Sequence, residues 1–155
     1  MTPAIKLLKK QKIPHTIHEY KHDSNVHSYG EEAAQKMGVD PKSVFKTLVV
    51  QSDKMMAVGI VPVSSTLNLK SMAKALGFKK VAMADPKNVE NTTGYILGGV
   101  SPLGQKKRLK TLIDESAFEY ESIFVSAGKR GLEVEVDPKD LEKLLQADKA
   151  KIAEN

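Results

Sequence analysis

Apolar and polar positions along the chain change their spacing several times, and each change marks an element. Thr2-Pro3 opens a segment in which Ile5, Leu7 and Leu8 share one helical face. Threonine is an N-capping residue and proline is pre-set for the first turn, while Ile13-Pro14 closes the pattern, so a first helix is predicted. His15 to Tyr20 alternates between two faces and predicts a strand. Ser28 and Glu31 have capping-box spacing, Ala33, Ala34 and Met37 form a buried stripe, and Gly38 suits a left-handed cap, which predicts a second helix. Lys46 to Gln51 and Met55 to Val63 read as a hairpin joined by Ser52-Asp53-Lys54. Asn68 to Leu76, stopped by Gly77, is the next helix. Lys79 to Met83, Lys110 to Asp114, Ser122 to Ser126 and Leu132 to Val136 read as strands, and Pro138 to Leu145 as the last helix. The pairs Asp40-Pro41, Asp85-Pro86 and Asp137-Pro138 each place a capping carboxylate before a first-turn proline and predict a helical start.

This order mixes hairpins with crossovers and fits neither a doubly wound parallel sheet nor a helical bundle. The expected fold class is α+β, with a mixed, mostly antiparallel and partly barrel-like sheet flanked by helices. A length of 155 residues without internal repeat or low-complexity linker predicts one domain over 1–155, and the polar end predicts a frayed tail over 148–155. Met55 to Val63, the longest nearly apolar run, contains Gly59 and Pro62 and falls far short of the roughly 20 residues of a membrane helix. Charges interrupt every apolar stretch near the N-terminus, so a secretory leader is not expected and the cytoplasm is the expected location.

Composition narrows the chemistry. With no cysteine, the protein can supply no disulfide, thiolate metal ligand or cysteine nucleophile. A net charge of +5 suits an anionic partner such as nucleic acid, and equally a solvated lysine-rich surface. Aromatic residues make up 5% with no tryptophan, which argues against a platform stacking several bases. All four histidines, His15, His18, His22 and His27, fall in the first quarter of the chain. His15 and His18 are three apart on a predicted strand and point to opposite faces, and no carboxylate pair or thiolate completes a ligand set. They read as surface or loop histidines, and neither a metal nor a cofactor is expected.

No Gly-x-Ser-x-Gly elbow occurs, and the run Gly98 to Lys106 ends in Gly-Gln-Lys where a phosphate loop needs Gly-Lys-Ser/Thr, so serine hydrolase and nucleoside triphosphatase chemistry are disfavoured. The glycines of that run either bring a ligand close to backbone amides or serve a turn. Lys46 shares a strand face with Leu48 and Val50, opposite Phe45, Thr47 and Val49. It either snorkels from the strand end or sits in a cleft, where desolvation lowers its pKa and its ammonium can hold an anion. Lys106, Lys107, Arg108 and Lys110 follow the glycine run, and Lys129-Arg130 sits in a second glycine turn; these are phosphate contacts or solvated turns.

Thr2-Pro3-Ala4, Phe45-Lys46-Thr47-Leu48, Thr93-Gly94-Tyr95, Gly98 to Lys107 and Ser126 to Leu132 together closely resemble the YbaK-type Cys-tRNA(Pro) deacylases, in order and over essentially the whole chain. The superfamily also holds the editing domain of bacterial prolyl-tRNA synthetases and stand-alone Ala-tRNA(Pro) deacylases, and the Ser-Pro-Leu-Gly-Gln loop looks like the cysteine-specific branch. The resemblance implies trans-editing without a cofactor: cysteine is removed from tRNA(Pro) mischarged by prolyl-tRNA synthetase, handed over with or without a ternary complex, and Cys-tRNA(Cys) is a further possible substrate. It implies a substrate-assisted step in which the cysteine thiol attacks its own ester carbonyl. Lys46 matches the family's functional lysine, and Gly98 and Gly99 match the loop whose amides face the scissile carbonyl. Tyr20, Tyr29, Ser101 and Pro102 match pocket positions, Tyr29 standing where phenylalanine is common. Thr47, Tyr95, Ser126 and Gly128 lie in matching stretches and are expected to bind substrate; Lys106, Lys107, Arg108, Lys129 and Arg130 are expected to contact tRNA. The alternatives are the alanine-specific branch and a non-catalytic module that binds a tRNA acceptor end or a nucleotide.

Overall fold

The computed structural model describes residues 1–26 and 28–155, so the reading of His27 falls outside the described residues. In chain order the elements are α1 (Pro3–Lys10), β1 (His15–Glu19), α2 (Tyr29–Met37), a 3-10 turn (Pro41–Ser43), β2 (Phe45–Gln51), β3 (Met56–Pro62), β4 (Thr66–Leu67), α3 (Leu69–Leu76), β5 (Ala82–Met83) and α4 (Pro86–Thr93). Then follow β6 (Lys110–Asp114), a 3-10 helix (Glu115–Glu119), β7 (Ile123–Lys129), β8 (Leu132–Val136), α5 (Pro138–Leu145), β9 (Asp148–Ala150) and β10 (Ala153–Glu154). Capping explains many of the boundaries. Thr2, Asn68, Asp85 and Asp137 each accept a first-turn N–H with the side chain, and Asp40 does the same for the 3-10 turn. Gly38, Gly77 and Gly94 close helices in the left-handed region. The expected capping box at α2 does not form: Ser28 precedes the helix but its side chain caps nothing.

Five strands run β5-β2-β3-β6-β9, three run β1-β8-β7, and β10 pairs with β4. Pairing is antiparallel except where β6 joins β3 and β9 joins β6, so the fold is α+β with a mixed, mostly antiparallel arrangement. A parallel bridge between Val44 and Phe124 links the larger sheets at their edges, and no closed barrel results. The main core lies between these sheets, where Phe45, Val49 and Ile60 meet Ile123, Val125 and Val134. A second cluster around Val50, Val61, Met72 and Leu112 packs α3 on the other face of the five-stranded sheet.

The chain end departs from the expected frayed tail. β9 and β10 are both paired, Ile152 is fully buried, and the Asp114 carboxylate accepts the N–H groups of Ile152 and Ala153 at 3.0 and 2.8 Å. The expected strand over 79–83 shrinks to Ala82–Met83 at the sheet edge. No helix among the described residues is long and apolar enough to cross a membrane.

Candidate active site

A cleft of about 390 Å³ opens where β2 meets the three-stranded sheet, beneath the start of α2 and beside the glycine loop. The paired β2–β3 hairpin carries Lys46 and Thr47 to it, with Lys46 opposite Val61 and Thr47 opposite Ile60. Burial depresses the Lys46 pKa, with Glu31 opposing the shift. The half-buried Lys46 ammonium faces the cleft near Glu31, but none of the ion pairs among the described residues involves it. Thr47 Oγ1 is buried and has no hydrogen-bond partner among the described residues. A polar atom in that position is costly unless a ligand satisfies it.

Glu133 is the site residue that sequence reasoning missed. It lies on β8 in cross-strand register with Ser126 of β7 and His18 of β1, borders the cleft, and is 7% exposed. Desolvation lifts its carboxyl to a pKa of about 8, so it is largely neutral at physiological pH. In Leu132-Glu133-Val134-Glu135-Val136 the alternation marks both glutamates as solvent-facing. Glu135 matches that reading, bonding His18 and Ser122, whereas Glu133 is roofed over. Tyr20, also at the cleft, is pushed up to about 12 by its own burial and by the nearby Glu133 charge.

Of the sequence-predicted positions, the cleft brings together Tyr20, Tyr29, Lys46, Thr47, Gly98 and Ser126. Gly99 lies just behind it: its N–H donates to Ile96 O at 3.0 Å, and its Cα packs against the Lys129 backbone. Gly98, at φ +87, is therefore the member of the pair at the cleft wall. Tyr95 is buried in the core with its hydroxyl donating to Leu103 O at 2.7 Å, and Gly128 packs against its ring. Ser101 is fully buried, accepting the Leu103 N–H, while Pro102 borders a separate depression between α1 and α5. These four support the loop from behind.

The basic groups also divide. Lys107 and Arg108 border the depression between α1 and α5, where Arg108 donates to Leu144 O, and the Lys106 stem lies on Gly94. Lys110 pairs with Asp148. Lys129, at the end of β7, and Arg130, in the turn that follows, are both exposed, and Arg130 donates to Leu97 O at 2.8 Å. No group of three histidines or carboxylates suited to a metal occurs among the described residues.

Fold and cleft together define a small α+β domain that offers one polar ligand an ammonium, an unsatisfied hydroxyl and a neutral carboxyl, against a wall containing glycine. Residues 23–144 match the family model described as "Aminoacyl-tRNA editing domain". The chain is 39% identical over 152 residues to "Putative Cys-tRNA(Pro)/Cys-tRNA(Cys) deacylase EbsC" of Enterococcus faecalis, spanning 97% of this chain and 92% of that protein. It belongs to the aminoacyl-tRNA editing domain family. It also resembles part of a proline-tRNA ligase of Desulforamulus reducens, 28% identical over 110 residues that cover 70% of this chain and 19% of the ligase. The solved structure "Crystal structure of a putative trans-editing enzyme for prolyl tRNA synthetase" shares the fold at a TM-score of 0.86 and 24% identity, covering 99% of this chain and 96% of that one.

Proposed function

We propose that this protein is a trans-editing deacylase that removes cysteine from mischarged Cys-tRNA(Pro), and from Cys-tRNA(Cys), by letting the substrate thiol attack its own ester. The observation that carries this reading is a cleft equipped to bind and orient but not to attack. Its described lining holds the Ser28, Thr47 and Ser126 hydroxyls, and no histidine stands among that lining as their base. The Ser126 hydroxyl is already engaged by the Gly128 N–H. The family membership and the likeness to the Enterococcus faecalis protein support the same substrate class.

In this reading Lys46 holds the phosphate or hydroxyl of the terminal nucleotide, and the Gly98 side of the loop faces the ester carbonyl. The thiol loses its proton, sulfur bonds to the carbonyl carbon, and the bond to the ribose oxygen breaks. That oxygen takes up a proton, and the cyclic thiolactone later opens in water to cysteine. Glu133 supplies recognition. A carboxyl kept neutral by burial ionises once a cation binds beside it, and the α-ammonium of an aminoacyl ester is such a cation.

Release of labelled cysteine from Cys-tRNA(Pro) in excess chelator tests the proposal. Release should continue, with Cys-tRNA(Cys) also cleaved. Stoichiometric binding without release would make the protein an acceptor-end binding module, and loss of activity on chelation would require a metal.

A further inference from the structure

The wall of the cleft above Gly98 is tied together by a chain of contacts that the proposed chemistry does not use. Glu32, in the first turn of α2, is buried, yet its carboxylate has three partners. His22 Nδ1 lies 2.6 Å from Oε1, the Asp23 N–H donates to Oε2 at 2.8 Å, and Lys36 Nζ is 3.3 Å from Oε2. Together they pin the segment that follows β1 to the start of α2. The His22 ring packs against Tyr29 with centroids 5.6 Å apart, and the Arg130 guanidinium lies 4.3 Å from the centre of the Tyr29 ring. Arg130 also holds Leu97 O at 2.8 Å. Gly98 fits below because it has no side chain: a Cβ there would come within 2.5 Å of Arg130 Nε and 2.8 Å of the Tyr29 ring. Four separate parts of the chain thus meet at one corner of the cleft.

We propose that Glu32 is a positioning residue: by fixing His22 and the first turn of α2 it holds the Tyr29 ring against Arg130, and Arg130 in turn holds the glycine loop. Arg130, although exposed, is assigned to this clasp rather than to a phosphate contact, because its guanidinium lies over a ring face and donates to a carbonyl. A buried carboxylate this well satisfied is a rigid anchor, and rigid support of a cleft wall is what keeps a bound ester aligned. The inference rests on the deacylase reading for its kinetic consequence, but the clasp itself is detectable without any substrate.

The experiment therefore has two arms. In the first, the Arg130 Nε–H resonance of the full-length protein is followed by NMR; stacking on Tyr29 should displace it upfield, and Glu32→Gln or His22→Gln should move it back toward the solvent-exposed value. In the second, kcat/KM for Cys-tRNA(Pro) is measured against salt concentration. Glu32→Gln and Arg130→Ala should each lower it by roughly tenfold to a hundredfold. After the first change the second should cost less than about threefold, since both act through Tyr29. Arg130→Ala should leave the salt slope unaltered, whereas loss of a phosphate contact would flatten it by about 0.7 to 0.9. Thermal unfolding establishes that each variant folds, and His22→Gln replaces Glu32→Gln in both arms if the latter does not. An Arg130 resonance unmoved by the changes at Glu32 and His22, additive kinetic losses, or a flattened slope would each overturn the clasp. A wild-type protein that fails to deacylate would overturn the deacylase reading alone, leaving the resonance to decide the clasp.

Discussion

Lys46 and Glu133 face the same cleft with their charges moved in the same sense, toward neutrality, and for the same reason: each loses hydration there. For Lys46 the consequence is binding strength, because a poorly hydrated ammonium gains more from an incoming anion than a solvated one. Lys46→Ala should lower kcat/KM at least about a hundredfold, close to 3 kcal/mol in barrier, while leaving the melting temperature nearly unchanged. Lys46→Arg should not rescue, since a planar fork replaces a compact ammonium. For Glu133 the consequence is pH-dependent stability. Between the ordinary carboxylate range and pH 8 the unfolded chain is ionised at this residue while the folded protein keeps the proton. Its stabilising contribution is thus complete below the ordinary pKa and falls as pH rises toward 8. Glu133→Gln cannot ionise, so its melting temperature relative to wild type should climb between pH 5 and pH 8; a constant difference over that range would contradict the assignment.

The elements follow the sequence wherever a local signal sets them. Each Asp-Pro pair starts a helical turn, two helices end at their expected glycines, Gly38 and Gly77, and the β2–β3 hairpin turns at Ser52 to Lys54. What was not legible depends on partners distant in sequence. The polar end is ordered because Asp114, 38 and 39 positions earlier, accepts two of its N–H groups. Glu133 was hidden because alternation reports which face a side chain takes and not what later covers that face. The motif positions Tyr95, Ser101, Pro102 and Gly128 are conspicuous as sequence but pack behind the cleft, since a glycine-rich loop needs a built scaffold as well as a ligand. Asp114→Ala leaves two N–H groups without their acceptor and should cost about 2 to 4 kcal/mol in denaturant unfolding, with faster hydrogen exchange at Ile152. Gly104→Ala should cost more than a typical surface change, because at φ +69 its Cβ would meet the Pro3 backbone at 2.7 Å.

At the scale of the whole molecule, the net charge of +5 does not by itself mark a nucleic-acid surface, and its distribution matters more. Lys107 and Arg108 are exposed on one side of the glycine loop, and Lys129 at the end of β7 on the other. If these contact phosphates, kcat/KM should fall steeply with salt, and each removed contact should flatten the log-log slope by about 0.7 to 0.9. Reversing Lys107 and Arg108 should raise KM more than it lowers kcat, and a flat salt response in the wild type would leave them as solvated surface.

The central claim is that the cleft positions a substrate which supplies its own nucleophile, and parallel deacylation of Cys-, Ser- and Ala-tRNA(Pro) tests it most directly. Serine matches cysteine in shape but carries a much weaker nucleophile than a thiolate, and alanine carries none. The account predicts that Cys-tRNA(Pro) is cleared with a thiolactone as the first trappable product, that Ser-tRNA(Pro) turns over poorly, and that Ala-tRNA(Pro) survives. Clearance of Ala-tRNA(Pro) as fast as Cys-tRNA(Pro) would mean that water reaches the ester, and would contradict both the cyclisation and the cysteine-specific assignment.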